Sequence, residues 1–104
     1  MAFNGREGEQ ITLATAAEFT ANYRSQMNSG DVKGYFIGKE HLNNVLAQTD
    51  CAGIRVYFGM DENDVKVLVL VGATANEDDL HNGIILDRAV PCPSRCGRSN
   101  SLNS

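Results

Sequence analysis

Three cysteines are the residues of this sequence with the clearest capacity for chemistry. Three residues separate Cys92 from Cys96 in the segment AVPCPSRCGRS, which also holds both prolines of the chain. This C-x3-C spacing falls within the range used by zinc sites, where thiolates are good ligands for a borderline-soft ion. A closed zinc site needs four ligands, and the chain offers only Cys51, His41 and His81 as further soft donors. The spacing therefore leaves a metal site, a thiol redox pair and a packed tail as alternatives.

The prolines on either side of Cys92 favour the packed tail. Dithiols that exchange readily usually have a C-x-x-C spacing at the start of a helix, where the helix dipole stabilises the thiolate. Pro91 and Pro93 instead favour an extended backbone around Cys92. We predict that Cys92 and Cys96 are small apolar side chains that attach an extended C-terminal tail to the domain. The alternative is a metal-binding or thiol redox module that uses Cys92 and Cys96, with or without Cys51.

The other polar clusters show no pattern of a catalytic site. The acidic segments DEND (61–64) and EDD (77–79) could bind a hard cation, but the first lacks the glycine and the glutamate of a calcium loop. We predict that both are solvated turns, and that His41 and His81 are surface residues. The chain contains no nucleophile elbow, P-loop or dinucleotide fingerprint. No catalytic residue and no cofactor is therefore predicted, and an enzyme or ligand binder with a pocket between subunits is only a third hypothesis.

The charge balance bears on the class of partner. Nine Lys and Arg residues against thirteen Asp and Glu residues give a net charge of −4 over 104 residues. This balance argues against binding to nucleic acid or to an anionic membrane surface, both of which require clustered cations. Arg95 and Arg98 are the only charged residues from Pro91 onward. The N-terminal segment MAFNGREGEQ lacks a signal-peptide pattern and the cysteine count is odd, which together predict a cytoplasmic location.

Hydrophobic periodicity predicts two helices and four strands in the order α-β-α-β-β-β. Thr15 and Glu18 match a capping box at the start of the first helix, whose apolar stripe is Ala16, Phe19, Tyr23 and Met27. The segment 39–48 has a shorter helical stripe. Segments of β-branched and aromatic residues predict strands at 34–38, 54–60, 65–71 and 84–87.

These elements predict an α+β fold with a mixed sheet of about four strands, two helices and an extended C-terminal tail. We expect a single domain over 1–104, with a flexible lead-in at 1–11, an α+β body at 12–90 and the tail at 91–104. Helices can cover only one face of such a sheet, and we place Leu68, Leu70 and Tyr57 on the other. A homodimer would cover that face, so we predict a protein that acts through protein contacts as a homo-oligomer, without catalysis.

The chain as a whole also resembles a known group of proteins. The segments ITLATAAEFTANYR, GYFIGKEHLNNVLAQ, CAGIRVYFGMDEN and PCPSRC, in this order and spacing, resemble a family of small uncharacterised bacterial proteins of about a hundred residues. That family has a Cys-Pro-containing C-terminal tail and no assigned function. The resemblance implies that the tail is part of the domain, and it implies no catalytic or binding residue.

Overall fold

The structure is a computed structural model that describes residues 2–104. This part of the chain contains two helices and five strands, which confirms the α+β class. Across the same residues, no helix has both the length and the apolar composition needed to cross a membrane. In chain order the elements are α1 (Leu13–Arg24), β1 (Gly34–Phe36), α2 (Lys39–Leu46), β2 (Gly53–Met60), β3 (Lys66–Ala73), β4 (Ile85–Leu86) and β5 (Val90–Cys92).

The strands form two antiparallel sheets, which corrects the prediction of one mixed sheet of about four strands. One sheet has the order β2-β3-β4, and the other consists of β1 and β5. The reason for the difference is β5, which the sequence analysis treated as an extended tail. It pairs with β1 through Gly34↔Cys92 and Phe36↔Val90, so β1 makes no parallel crossover to β2. The chain separates into two compact units, each built around one of these sheets.

The first unit contains residues 2–8 and the segment Ile37–Ala89. Its centre is the β2–β3 hairpin, which the alternating residues and the short polar turn predicted correctly. Helix α2 contacts both strands. The buried apolar side chains of the described residues are Val45, Leu70, Val71 and Ala73. Val45 belongs to α2 and the other three to the C-terminal half of β3, so the core lies between this helix and this part of the strand.

The register of the hairpin assigns its side chains to two faces. Val56 pairs with Leu70 and Phe58 with Leu68, whereas Tyr57 pairs with Val69. Directly paired residues share a face of a sheet, and consecutive residues alternate between faces. The prediction that Leu68, Leu70 and Tyr57 share a face is therefore wrong, because Tyr57 lies on the valine face.

The second unit contains Glu9–Phe36 and Val90–Ser104. Helix α1 begins after Thr12, whose Oγ1 accepts the Thr15 backbone N–H at 3.1 Å, so the cap lies one turn before the predicted one. None of its residues is buried, and Phe19 and Tyr23 of the predicted apolar stripe are exposed. The end of the chain is held by Arg24, whose Nη1 donates to the Leu102 carbonyl at 2.6 Å.

Candidate functional site

The structure joins two of the three cysteines. Cys92 and Cys96 form a disulfide with a Cα–Cα distance of 4.8 Å. Cys92 is half-buried at the end of β5, whereas Cys96 is exposed in the turn that follows. These residues were predicted to be packed thiols, and this prediction is wrong because the turn brings the two sulfurs within bonding distance. Both residues belong to the second unit.

Cys51 belongs to the first unit and is the free cysteine. Its side chain is half-buried, and its Sγ donates to the Gly53 carbonyl at 3.2 Å. Among the residues that the structure describes, no group of three or more His, Cys, Asp and Glu side chains is arranged to hold a metal ion. The sulfurs of Cys92 and Cys96 are bonded to each other, so neither is a thiolate ligand in this state.

The structure also shows a polar cluster that the sequence analysis missed. Arg55 and Tyr57 lie on the same face of β2, as the alternation predicts, and both reach Asp79 in the loop after β3. Arg55 Nη1 lies 2.5 Å from Asp79 Oδ1, and the Tyr57 hydroxyl donates to Asp79 Oδ2 at 2.5 Å. Arg55 also donates to the Glu77 carbonyl at 3.0 Å. Asp79 is therefore a structural anchor for its loop, although we had predicted a solvated turn residue.

Hydrogen bonding sets the ionisation of this cluster. The hydrogen bond from Tyr57, with a further contribution from Arg55, lowers the pKa of Asp79 below its ordinary value of 3.8, because both favour the carboxylate. The bond to Asp79 also raises the pKa of Tyr57, because the neutral phenol is the donor. The same carboxylate raises the pKa of Arg55. At neutral pH the cluster is thus an ion pair with a neutral tyrosine.

The lowered pKa of Asp79 predicts a specific dependence of stability on pH. A carboxyl group with a lowered pKa in the folded state stabilises the protein above its unfolded pKa, and this contribution is lost as the pH falls through the folded value. We expect the urea midpoint of the wild type to fall below about pH 5, and that of Asp79→Asn to fall less. The matched control is Asp78→Asn at the exposed neighbouring position, which should keep the wild-type profile. Parallel profiles for wild type and Asp79→Asn would contradict this assignment.

An open cavity of about 390 Å³ lies beside this cluster within the first unit. Its lining includes Phe3, Glu7, Ile54 and Arg55, and the Arg55 guanidinium carbon lies 5.5 Å from the centroid of the Phe3 ring. The backbone N–H of Phe3 donates to the Ala75 carbonyl at 2.8 Å, so the lead-in makes specific contacts. The Glu7 carboxylate accepts the N–H groups of Asn4 and Gly5, both at 3.0 Å. The charged groups of the cavity are thus held by contacts within the protein.

The remaining candidate residues lie in turns and on the surface. Asp61 Oδ1 accepts the backbone N–H groups of Asn63 and Val65, which closes the hairpin turn as expected of an Asx turn. His41 is exposed in the first turn of α2, and His81 Nδ1 lies 3.3 Å from the Asp79 carbonyl.

Exposed apolar side chains form the last notable feature of the first unit. Phe58 is 91% exposed, and Val56 and Met60 on the same face of β2 are 48% and 64% exposed. We call these three residues the β2 surface. The alternation of β2 places their side chains on one face of the strand. Helix α2 contacts β2 and β3, and Gln48 and Cys51 of the loop after α2 pack near Gly72.

Comparison with known proteins gives no relative on which a function could be based. No family model matches the sequence, and neither a curated protein nor a solved structure matches it.

Proposed function

We propose that this protein acts through protein contacts as a homodimer in which the β2 surface meets the same surface of a second copy. The observation that carries the proposal is the exposure of Phe58, 91%, in line with two other exposed apolar residues of one strand. Large apolar side chains clustered on a surface usually mark an interaction site, because their contact with water is unfavourable.

The backbone of β2 supports pairing with another strand. β2 is an edge strand of its sheet. The Asp61 N–H donates to the Val65 carbonyl at 2.9 Å, so these two residues form a hydrogen-bonded pair. The next pair along the hairpin is Met60 with Lys66, and the same register continues to Gly53 with Ala73. Hydrogen-bonded pairs alternate along an antiparallel ladder, so the backbone groups of Val56, Phe58 and Met60 point away from β3. The residues with exposed apolar side chains are therefore also those with outward backbone groups.

A second copy is the occupant that matches this edge best. In a two-fold antiparallel pairing centred on Phe58, Phe58 meets Phe58 of the second copy and Val56 meets Met60, which brings the β2 surfaces of both copies into side-by-side contact on one face of a continuous sheet. The same register places Asp61 of the second copy opposite Arg55. Each end of the paired strands then has an arginine opposite an aspartate, and no two like charges are opposite each other. This arrangement favours a second copy of the chain as the partner of β2.

The oligomeric state of a charged variant tests the proposal. We expect the wild type to sediment as a dimer at tens of micromolar and Phe58→Lys to sediment as a monomer. An edge lysine opposes strand pairing because its charge would be buried next to its own copy. Because Phe58 contributes little to the core, the monomeric variant should keep the far-UV circular dichroism spectrum of the wild type.

Phe36→Lys is the matched control, since Phe36 is also an exposed phenylalanine of a strand but lies in the second unit. We expect this variant to remain a dimer. A wild type that is monomeric at about 100 μM, well above the dissociation constant of a stable dimer, would overturn the proposal. Loss of the dimer in both variants would show that the contact is not specific to β2.

A cytoplasmic location belongs to the same proposal. It is supported by the odd number of cysteines and by the free thiol of Cys51. Disulfides in the cytosol are usually transient, because glutathione and thioredoxin reduce them. Alkylation of thiols in intact cells should therefore find Cys92 and Cys96 partly reduced; a fully oxidised pair would argue for an oxidising compartment.

A further inference from the structure

We propose that the Cys92–Cys96 disulfide is a thiol–disulfide exchange site, at which an external thiolate attacks Cys96 and reduces the bond while the second unit stays folded. The proposal concerns a different unit from the dimer surface and does not depend on it. It rests on three observations, namely the unequal exposure of the two sulfur-bearing residues, the charge around them and the contacts that hold the segment independently of the disulfide.

Exposure selects the sulfur that is attacked. Cys96 is exposed, whereas Cys92 is half-buried where β5 pairs with β1. Exchange requires the incoming thiolate to reach one sulfur, and the rate depends on this access. Attack therefore occurs at Cys96 Sγ, and Cys92 Sγ is the leaving group.

The charge of the segment favours this reaction. Arg95 is adjacent to Cys96 and Arg98 lies two residues beyond it, and no acidic residue occurs from Pro91 to the end of the sequence. Cations close to a cysteine favour its thiolate, and Cys96 leaves as a thiolate when the mixed disulfide is resolved. They also attract anionic thiols, so glutathione, which carries a net negative charge, suits the site as a substrate.

Non-covalent contacts hold the segment on both sides of the disulfide. The Lys33 N–H donates to the Cys92 carbonyl at 2.7 Å, and the Arg95 N–H donates to the Pro91 carbonyl at 3.0 Å. Beyond Cys96, Arg24 holds the Leu102 carbonyl at 2.6 Å, and Lys33 Nζ donates to the Asn103 carbonyl. All of these contacts lie within the second unit.

The disulfide itself closes only a short loop. Cys92 and Cys96 are separated by four positions, and the stabilisation that a disulfide gives grows with the length of the loop it closes. The longer loops of the second unit are already closed without it, by the pairing of β1 with β5 and by the contacts of Arg24 and Lys33 with the carbonyls of Leu102 and Asn103. The bond can therefore be opened at a small cost in stability, unlike a disulfide that holds a fold together.

The exchange balances in two steps. A thiolate attacks Cys96 Sγ, the Cys92–Cys96 bond breaks, and the electron pair of that bond leaves on Cys92 Sγ. A second thiolate attacks the external sulfur of the mixed disulfide and releases Cys96 as a thiolate. Two external thiols are thereby oxidised to one disulfide, and the cystine gains two electrons and, on protonation, two protons.

Equilibration of the full-length protein with glutathione buffers tests the proposal, with Cys51→Ala as the background so that only the pair reacts. We expect a mixture of oxidised and reduced protein, counted by alkylation and mass spectrometry, in buffers that contain about 1–10 mM reduced glutathione with a minor oxidised fraction. The far-UV circular dichroism spectrum should be the same for both forms. A pair that stays fully oxidised in these buffers, or a reduced form that loses its helical signal, would overturn the proposal.

Single-cysteine variants identify the attacked sulfur. In the same background, Cys92→Ser leaves Cys96 and Cys96→Ser leaves Cys92. We expect oxidised glutathione to modify Cys96 at least about tenfold faster than Cys92, because exposure governs access. Equal rates, or the reverse order, would overturn the assignment.

Charge reversal provides the matched test of the arginines. Arg95→Glu/Arg98→Glu should slow the reduction by glutathione several-fold, because its attacking thiolate form carries a net charge of about −2, and should slow the reduction by cysteamine much less, because the thiolate form of cysteamine is neutral overall. An equal effect on both thiols would contradict the electrostatic part of the proposal. The mixed disulfide between Cys96 and the reductant can itself be observed. We expect it to accumulate during reduction by glutathione, a monothiol, and not during reduction by dithiothreitol, whose second thiol resolves it at once.

Discussion

Leu70→Ala is expected to lower the free energy of unfolding by about 3 kcal/mol, within the range known for leucines in cores. Leu70 is 6% exposed and lies on the central strand of the first unit, between Val56 of β2 and Leu86 of β4. Its truncation removes apolar area and leaves a cavity that backbone pairing on both sides prevents from closing. Because few side chains of the described residues are buried, this loss is a large part of the total stability.

Urea unfolding followed by circular dichroism measures this effect. Leu13→Ala is the matched control, since Leu13 undergoes the same change of side chain but is 62% exposed on α1. We expect this control to change the free energy of unfolding by less than about 0.5 kcal/mol, as is usual for surface positions. Equal losses at the two positions would show that the core does not lie around Leu70.

The second large effect is expected at Gly72, where the smallest possible substitution should destabilise the protein. A Cβ atom at this position would lie 3.0 Å from Cys51 Sγ and 3.0 Å from Gln48 Nε2. Gln48 cannot move freely, because its Nε2 donates to the Val45 carbonyl at 3.0 Å and its Oε1 accepts the Ile84 N–H at 2.8 Å. We therefore expect Gly72→Ala to cost about 1–3 kcal/mol through overpacking.

Gly59→Ala provides the control for the change in strand propensity. Gly59 is also a strand glycine, but its nearest neighbour would be Val67 Cγ2 at 3.4 Å, an ordinary contact distance. We expect this variant to be neutral or slightly stabilising, because alanine has less backbone freedom to lose. In a double-mutant cycle, Cys51→Ala should recover part of the loss at Gly72. Additive effects would show that Cys51 is not the obstacle.

The hairpin of the first unit could be predicted from the sequence because all of its signals are local. Residues 54–60 alternate in polarity, the turn DEND follows directly, and residues 65–71 are rich in valine. Strand pairing across such a turn needs no information from elsewhere in the chain. The structure places β2 and β3 within two residues of the predicted bounds.

The β1–β5 sheet could not be predicted in the same way. β5 has three residues, one of which is a proline, so it lacks the alternation that identifies a strand. Its partner β1 lies far away along the chain, and such pairing depends on tertiary packing. The disulfide follows from the same geometry, since only the turn after β5 brings Cys96 close to Cys92.

The polar cluster of Arg55, Tyr57 and Asp79 could also be predicted only in part. The alternation of β2 places Arg55 and Tyr57 on one face, but nothing near them in sequence indicates Asp79 as their common partner. The loop after β3 returns Asp79 to the sheet through a bridge to Ala73. Asp79 therefore becomes the common partner of Arg55 and Tyr57, and the composition of the segment 77–79 does not indicate this pairing.

The sequence by itself determined the α+β class, the two helices and the central hairpin, because periodicity and turn residues act over short distances. The tertiary structure alone decided that the strands form two sheets, that Cys92 and Cys96 are bonded and that Phe58 remains exposed. Each of these depends on which distant segments meet. Which segments meet is set by the packing of the whole chain. The sequence around a residue is the same whether or not a distant segment covers that residue, so it cannot predict the contact.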